Sequence, residues 1–546
     1  MFRSVLLSLL GLSPCSAEIS LTISPDQLTL DQALTQLRTL RANGKTEPAS
    51  LLIPPGLHST NTILDPALVG KGLTCRALKP DEPCPVLTAG TELTNWTLTD
   101  NLWSTPLEHE PAGLFTGDQP CTLARMPNDD FWRIEKTGPD RRTSFTWQEN
   151  TIPEVKDLAN LSLVFLHDWS TTHVEVLSLD PATRTLSTKL SIGPKADHYR
   201  IGHFEPQPRF FLQGSRDFLD APGEYYYDRS AKRLFYMPLP GKHPATTSII
   251  ATTIPHALLL HGTGDQPLQN LHFEHLAFSH AQWLPAGRRF AGGQASFHED
   301  GESFTRTPVP CAVEADHCRE LSFVNCHFSH SSGGGLWLRE NCRDIQIRKC
   351  TFTDLGANGL MIGVPGDPKH VTSHLIVEDS LIARCGQRYY GSVGLWIGIA
   401  AHCTIRNNEI HDLPYTGFSL GWRWSPVTSP SRNHLIENNH IHHVLQTLSD
   451  GGGIYTLGLQ PDSIIRGNHI HDVRVNAGRA ESNGIFIDQG STGFLVENND
   501  IHHIARSPIR FHQAGKNTLR NNKLEPSDGI PPLRFNNSPE ENITVE

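Results

Sequence analysis

Through the C-terminal half of the chain, apolar and polar residues alternate in short phrases that return at a nearly constant interval. One set reads Asn-Asn-Glu-Ile-His-Asp at 407–412, Asn-Asn-His-Ile-His-His at 438–443, Gly-Asn-His-Ile-His-Asp at 467–472 and Asn-Asn-Asp-Ile-His-His at 498–503; the starts lie 31, 29 and 31 residues apart. A second set opens on glycine: Gly335-Leu-Trp-Leu, Gly359-Leu-Met-Ile, Gly394-Leu-Trp-Ile, Gly417-Phe-Ser-Leu, Gly453-Ile-Tyr-Thr and Gly484-Ile-Phe-Ile. Period-two alternation over so few positions predicts strands, and no helical stretch separates the phrases. Self-similarity at 20–50 residues predicts stacked units, so the expected fold is all-β, a right-handed parallel β-helix. A sandwich, the alternative, spaces its strands nearer 8–12 residues.

In such a coil Ile410, Ile441, Ile470 and Ile501 form one internal ladder, and Phe418, Ile454, Ile485 and Ile509 another. The paired asparagines suit the bends, where their side chains bond the backbone and tolerate the left-handed conformation. Near the start, Thr29-Leu-Asp-Gln32 has capping-box form and Leu30, Leu34, Leu37 and Leu40 follow at helical spacing, which predicts a short helix over the open end of the coil.

The rhythm breaks between 103 and 248, where aromatic pairs such as Phe131-Trp132 and Phe210-Phe211 occur without repeat. An inserted β-rich domain is expected there, its Glu224–Met237 stretch a hairpin. The expected organisation is a leader at 1–17, a cap and first coils at 18–102, the insertion at 103–248 and the main β-helix with its tail at 249–546.

The leader reading rests on Arg3, an apolar run from Val5 to Leu12 and small residues ending at Ala17. That is a cleaved export signal, too short to span a bilayer, and predicts a secreted or periplasmic protein. Lys and Arg total 46 against 57 Asp and Glu, a net charge of −11, and no basic run occurs. This argues against a nucleic-acid partner. Cys75/Cys84 and Cys311/Cys318 are the plausible disulfides, whereas Cys326, Cys350, Cys385 and Cys403 fall on successive coils as small buried groups.

Aligning the glycine phrases places Trp337, Met361, Trp396, Ser419, Tyr455, Phe486 and Arg510 in one outward column, and Arg339, Gly363, Gly398, Gly421, Leu457, Asp488 and His512 in the next. Aromatics beside glycines make a groove that suits sugar rings, unless a loop or the insertion covers it. Asp450 precedes Gly451-Gly452-Gly453 and Glu481 holds the equivalent place one coil on. Glycoside hydrolysis needs two carboxyl groups flanking the bond, and Asp450 lies seven residues out of phase with Asp488, so the two meet only if the glycine run folds back. Turn capping or salt bridging is the competing role for each. His402, Tyr415, Trp422 and Trp424 are expected in loops beside the groove, joining Trp396, Tyr455 and Arg510 as substrate contacts. The stacked His411, His442, His471 and His502 read as repeat consensus rather than ligands, so neither metal nor cofactor is expected.

The run Asp450-Gly-Gly-Gly-Ile-Tyr-Thr-Leu-Gly458, with Ile465-Arg-Gly-Asn-His-Ile-His471 and Gly484-Ile-Phe-Ile-Asp-Gln-Gly490, resembles the β-helix glycoside hydrolases of family 141. So do Leu123-Ala-Arg-Met-Pro-Asn128 and Tyr226–Tyr236 of the insertion. The resemblance spans most of the chain and implies a pectate-lyase-like solenoid, an exported enzyme of α-L-fucosidase or xylanase type acting on an oligosaccharide or polysaccharide, and Asp450 and Asp488 as its catalytic pair, with Glu481 an alternative carboxylate. A polysaccharide lyase using Arg339, Arg423 or Arg510, and a glycan-binding protein without activity, are the other expectations.

Overall fold

The computed structural model describes residues 18–24, 28–299, 306–474 and 481–546; the expected leader at 1–17 lies outside them. The repeating half winds as a parallel β-helix around three sheets. One coil runs through Leu459–Arg466 in the first sheet, His469–Val473 in the second and Ser482–Ile487 in the third, and the next runs through Thr492–Glu497, Asp500–Ile504 and Ser507–His512. The first sheet has 13 strands and the others 11 each, all ordered along the coil axis.

Because side chains alternate across a strand, each coil sends one set inward, and the next coil places the same set directly above it. Ile410, Ile441, Ile470 and Ile501 pair in register, as do Phe418, Ile454, Ile485 and Ile509. All eight are buried in one continuous core.

The asparagine pairs divide the labour of turning from the first sheet into the second. Asn407, Asn438, Gly467, Asn498 and Asn521 take left-handed φ of 55°, 54°, 62°, 54° and 49°. Asn408, Asn439, Asn468, Asn499 and Asn522, one residue on, turn inward and hydrogen-bond one another from coil to coil.

The helix Leu30–Ala42 starts with a complete capping box of Thr29 and Gln32. Its buried face of Leu30, Ala33, Leu34 and Leu37 belongs to the coil's core, beside the terminal strand Ile19–Thr22. The insertion is antiparallel except where Gln119–Leu123 runs parallel to Glu224–Asp228, and it forms two sheets with separate cores. Its strands extend from Gly90–Glu92 to Ile249–Thr252, wider than the break in the sequence rhythm, and Tyr225–Asp228 pairs with Arg233–Tyr236 as a hairpin. The insertion grips the coil through the Ser449 N–H on the Asp168 carbonyl at 2.8 Å and the Arg209 guanidinium on the Thr447 carbonyl at 2.8 Å.

The two expected disulfides are absent: all ten described cysteines are free thiols. Cys311 lies in a third-sheet strand with its sulfur 3.9 Å from that of Met361, whereas Cys318 opens a first-sheet strand with its sulfur 3.5 Å from the Asp316 carbonyl. The sheet corner between them turns the two sulfurs to different neighbours.

His167, His173, His280 and His434 are buried, and burial pulls each from 6.5 down to about 3. They therefore fold neutral, and their contribution is complete above about pH 6.5, the unfolded value, and is lost as pH falls towards 3. At pH 5 each withdraws roughly 2 kcal/mol. Urea denaturation at pH 7.5 and 5.0 should show a clearly lower midpoint at the acid pH, and matching midpoints would refute the assignment.

Candidate active site

The outward column on the third sheet pairs as aligned: Trp337, Met361, Trp396, Ser419, Tyr455, Phe486 and Arg510 stand coil above coil. Its upper part is covered rather than open. Trp396 is fully buried beneath Phe297 and Trp422, with ring centroids 5.1 and 5.2 Å away, and Phe297 and Trp422 pack together at 4.6 Å. The cover continues from Phe290–Ala291, which pairs with the insertion strand Thr171–Asp180. Trp396 and Trp422, expected as sugar contacts, thus hold the cover in place. His402 is also displaced from its expected loop: it lies in the first-sheet strand Ala400–Arg406, its ring stacked on His374 at 4.7 Å on another face of the coil.

Below the cover the column turns polar. Tyr455 donates its hydroxyl hydrogen to Asp488 Oδ2 at 2.5 Å, and His512 Nδ1 donates to Asp488 Oδ1 at 2.7 Å. Asp488 is only 8% exposed, so these two donors answer the cost of placing its charge there. The Arg510 guanidinium lies 4.2 Å from the Phe486 ring centroid and donates from Nη1 to Asp450 Oδ1 at 2.8 Å. The same nitrogen stands 3.5 Å from Glu481 Oε2, and Arg534 grips Glu481 from the other side. Glu481 is therefore the centre of an arginine clamp that steadies Asp450 through Arg510.

The glycine run does not fold back. Gly451 and Gly452 pair with Ser482 and Asn483 as the strand enters the third sheet, and a side chain at Gly453 would meet the Ile470 methyl at 2.6 Å. Asp450 thus stands before its strand and Asp488 after the neighbouring one. Each has its own phenol, Tyr415 for Asp450 and Tyr455 for Asp488. Tyr415 donates to the Asp450 carbonyl at 3.1 Å. Burial first, then the charges of Asp450, Asp168 and Asp488, push its phenol well above the usual 10. Burial and Asp488 raise Tyr455 in the same way. Both phenols stay protonated and act as donors.

Several neighbours escaped the sequence reading because they lie outside the repeat. Asp168, in the insertion, adds its charge to the surroundings of Tyr415 and accepts the Ser449 N–H on its carbonyl. Glu299 is buried, and burial raises its carboxyl against the pull of Arg306, whose Nε lies 3.0 Å away. Arg306 in turn sits 4.5 Å above the ring of Trp424, which packs against Tyr455 and Phe486. Trp169, His198 and Phe204 form an aromatic patch at centroid distances of 5.3–5.5 Å from Trp169, and the nearby Tyr199 feels the charge of Glu299. Only its aromatic and acidic residue types could have hinted at this wall.

The coil and its overall fold are shared with known proteins. The family described as right handed beta helix region matches residues 311–443 and 427–529. The fold is a right-handed parallel β-helix. A solved glycoside hydrolase superposes with a TM-score of 0.81 at 21% identity, covering 97% of this chain and 99% of the other. XylC, solved with xylose, is 9% identical with a TM-score of 0.47 and covers 96% and 86% of the two chains. The surface protein and adhesin PfbA of Streptococcus pneumoniae covers 54% and 82% at 9% identity and a TM-score of 0.35. No curated protein matches the chain in sequence. At 21% identity the likeness to the glycoside hydrolase, over nearly the whole of both chains, establishes the fold and leaves the chemistry to the side chains. No helix among the described residues is long and apolar enough to cross a membrane.

Proposed function

We propose that the protein is an exported glycoside hydrolase of α-L-fucosidase or xylanase type, acting on complex plant or host glycans through Asp488 and Asp450. The observation that carries this reading is the carboxylate of Asp488, held by Tyr455 and His512 at 2.5 and 2.7 Å, with Arg510 holding Asp450 on the neighbouring coil. The two donors fix both oxygens of the Asp488 carboxylate in place. A carboxylate so oriented suits attack on an anomeric carbon or removal of a proton from water. Tyr415 and Arg510 fix Asp450 on the neighbouring coil. Trp424 and the patch around Trp169 supply the ring faces that sugars stack against, whereas Tyr455 is buried and serves Asp488.

The geometry weighs against a lyase. Such an enzyme needs a cation to neutralise a uronate, yet Arg339 pairs with Glu314 at 2.9 Å, Arg423 with Asp367, and Arg510 with Asp450. Incubation of the exported protein with aryl glycosides and with plant and mucin polysaccharides, read by product mass, should release a reducing sugar with the mass of added water. Ultraviolet-absorbing unsaturated products would transfer the site to elimination, and binding without product would leave a glycan-binding protein.

A further inference from the structure

The second sheet carries two outward columns of ring nitrogens. One is the foreseen stack of His411, His442, His471 and His502. The other runs two residues earlier along each strand, through Glu409, His440, His469 and Asp500. Because inward isoleucines separate the columns, both point away from the core. They then meet diagonally, each residue of the earlier column reaching the later column one coil on. Glu409 Oε1 lies 3.4 Å from His442 Nε2, His440 Nε2 lies 2.8 Å from His471 Nε2, and His469 Nε2 lies 2.9 Å from His502 Nε2.

We propose that His440, His469 and His471 form a binding site for a divalent transition-metal ion, with zinc as the representative case. One ring nitrogen from each lies within 4.8 Å of the others. Imidazole sets suit zinc, copper and nickel, whereas calcium and magnesium prefer oxygen. Tetrahedral zinc at about 2.0–2.1 Å from each nitrogen holds its ligands about 3.3 Å apart. The His440–His471 pair, at 2.8 Å, needs to open by only about half an ångström to meet that spacing.

A further contact points the same way. His471 Nδ1 donates to Asp472 Oδ2 at 2.7 Å, which places that ring's hydrogen on Nδ1 and leaves the Nε2 lone pair facing His440. A carboxylate behind a ligating imidazole is the arrangement that fixes ligand tautomers in metal sites. The backbone is already set by the ladder: His440 and His469 stack at 5.0 Å with planes 6° apart, and His442 and His471 at 5.2 Å and 8°. Glu409, His440 and His442 make an overlapping trio that also uses His440. His440 is thus the residue whose loss tests the site. The site lies on the second sheet, separate from the third-sheet carboxylates, so it gives the protein a capacity unrelated to glycan chemistry.

The test is titration of chelator-treated protein with Zn²⁺ by calorimetry, alongside thermal unfolding with and without the ion. One Zn²⁺ per chain should bind with a Kd of about 10⁻⁶ M or tighter and raise the unfolding temperature, since an ion bound by the folded state alone stabilises it. His440→Ala should weaken binding at least about 30-fold. That corresponds to about 2 kcal/mol. His374→Ala, on the stacked pair outside the cluster, should leave binding unchanged. Both side chains are surface-facing, so circular dichroism should report the parent fold. Binding that does not saturate below millimolar Zn²⁺, or that His440→Ala leaves as tight as the parent, would overturn the proposal.

Discussion

Asp488→Asn should leave the coil folded and lower kcat/KM by about 10³-fold or more, close to 4 kcal/mol of transition-state stabilisation. The amide keeps the size of the carboxylate and can still accept one hydrogen bond from Tyr455 or His512. It cannot attack carbon or take a proton, and its own N–H group faces one of the two donors that the carboxylate satisfied. The loss should therefore be the same for substrates with good and poor leaving groups. Asp450→Asn should differ. Arg510 retains Glu481 at 3.5 Å, so the clamp survives, and a role in protonating the leaving oxygen would appear as a large loss on natural glycans and a small one on activated aryl glycosides. Glu299→Gln is the comparison, because burial keeps that carboxyl protonated to higher pH than an ordinary glutamate. If Asp488→Asn turns over at the parent rate, the catalytic assignment is lost whatever the glycan.

Almost all of the coil was legible in the chain, since its information is local and repeated. The Ile410–Ile441–Ile470–Ile501 ladder and the Trp337-to-Arg510 column both follow from counting residues between phrases, and both pair in that register. The insertion could be detected as a loss of rhythm, but its contents could not be placed. Nothing in the spacing says that Phe297 lies on Trp396, or that the Asp168 carbonyl takes the Ser449 N–H. Both join segments about a hundred residues apart or more through docking of unlike elements, for which periodicity supplies no ruler. His402 shows a related failure. Its expected place is a loop beside the groove, whereas the corner after Ile397 leads into the first-sheet strand Ala400–Arg406 that carries it. The second histidine column was present in the repeat itself. It passed unnoticed because a column becomes chemistry only when the diagonal offset between coils brings it against its neighbour.

The repeat also stakes much of its stability on one buried polar column. Asn468→Ala should cost about 3–5 kcal/mol, far more than the loss of an exposed asparagine. The Asn468 amide donates to the Ile436 carbonyl at 3.0 Å and to Asn499 Oδ1 at 2.9 Å, while its oxygen accepts from the Asn439 backbone N–H and the Asn439 amide, each at 3.0 Å. Alanine removes all four bonds. The Ile436 carbonyl and two Asn439 N–H groups are left facing a gap on a sealed corner where water has little access, and an unmatched buried group costs about 1–3 kcal/mol. Asn438→Ala is the informative control. Asn438 turns the same corner at φ 54°, so alanine there forfeits chiefly a left-handed preference, about 1 kcal/mol. Urea denaturation of the two variants should separate them by at least about 2 kcal/mol. Equal costs would mean that the corner is held by its backbone turn alone, and that the asparagine column fills space without binding one coil to the next.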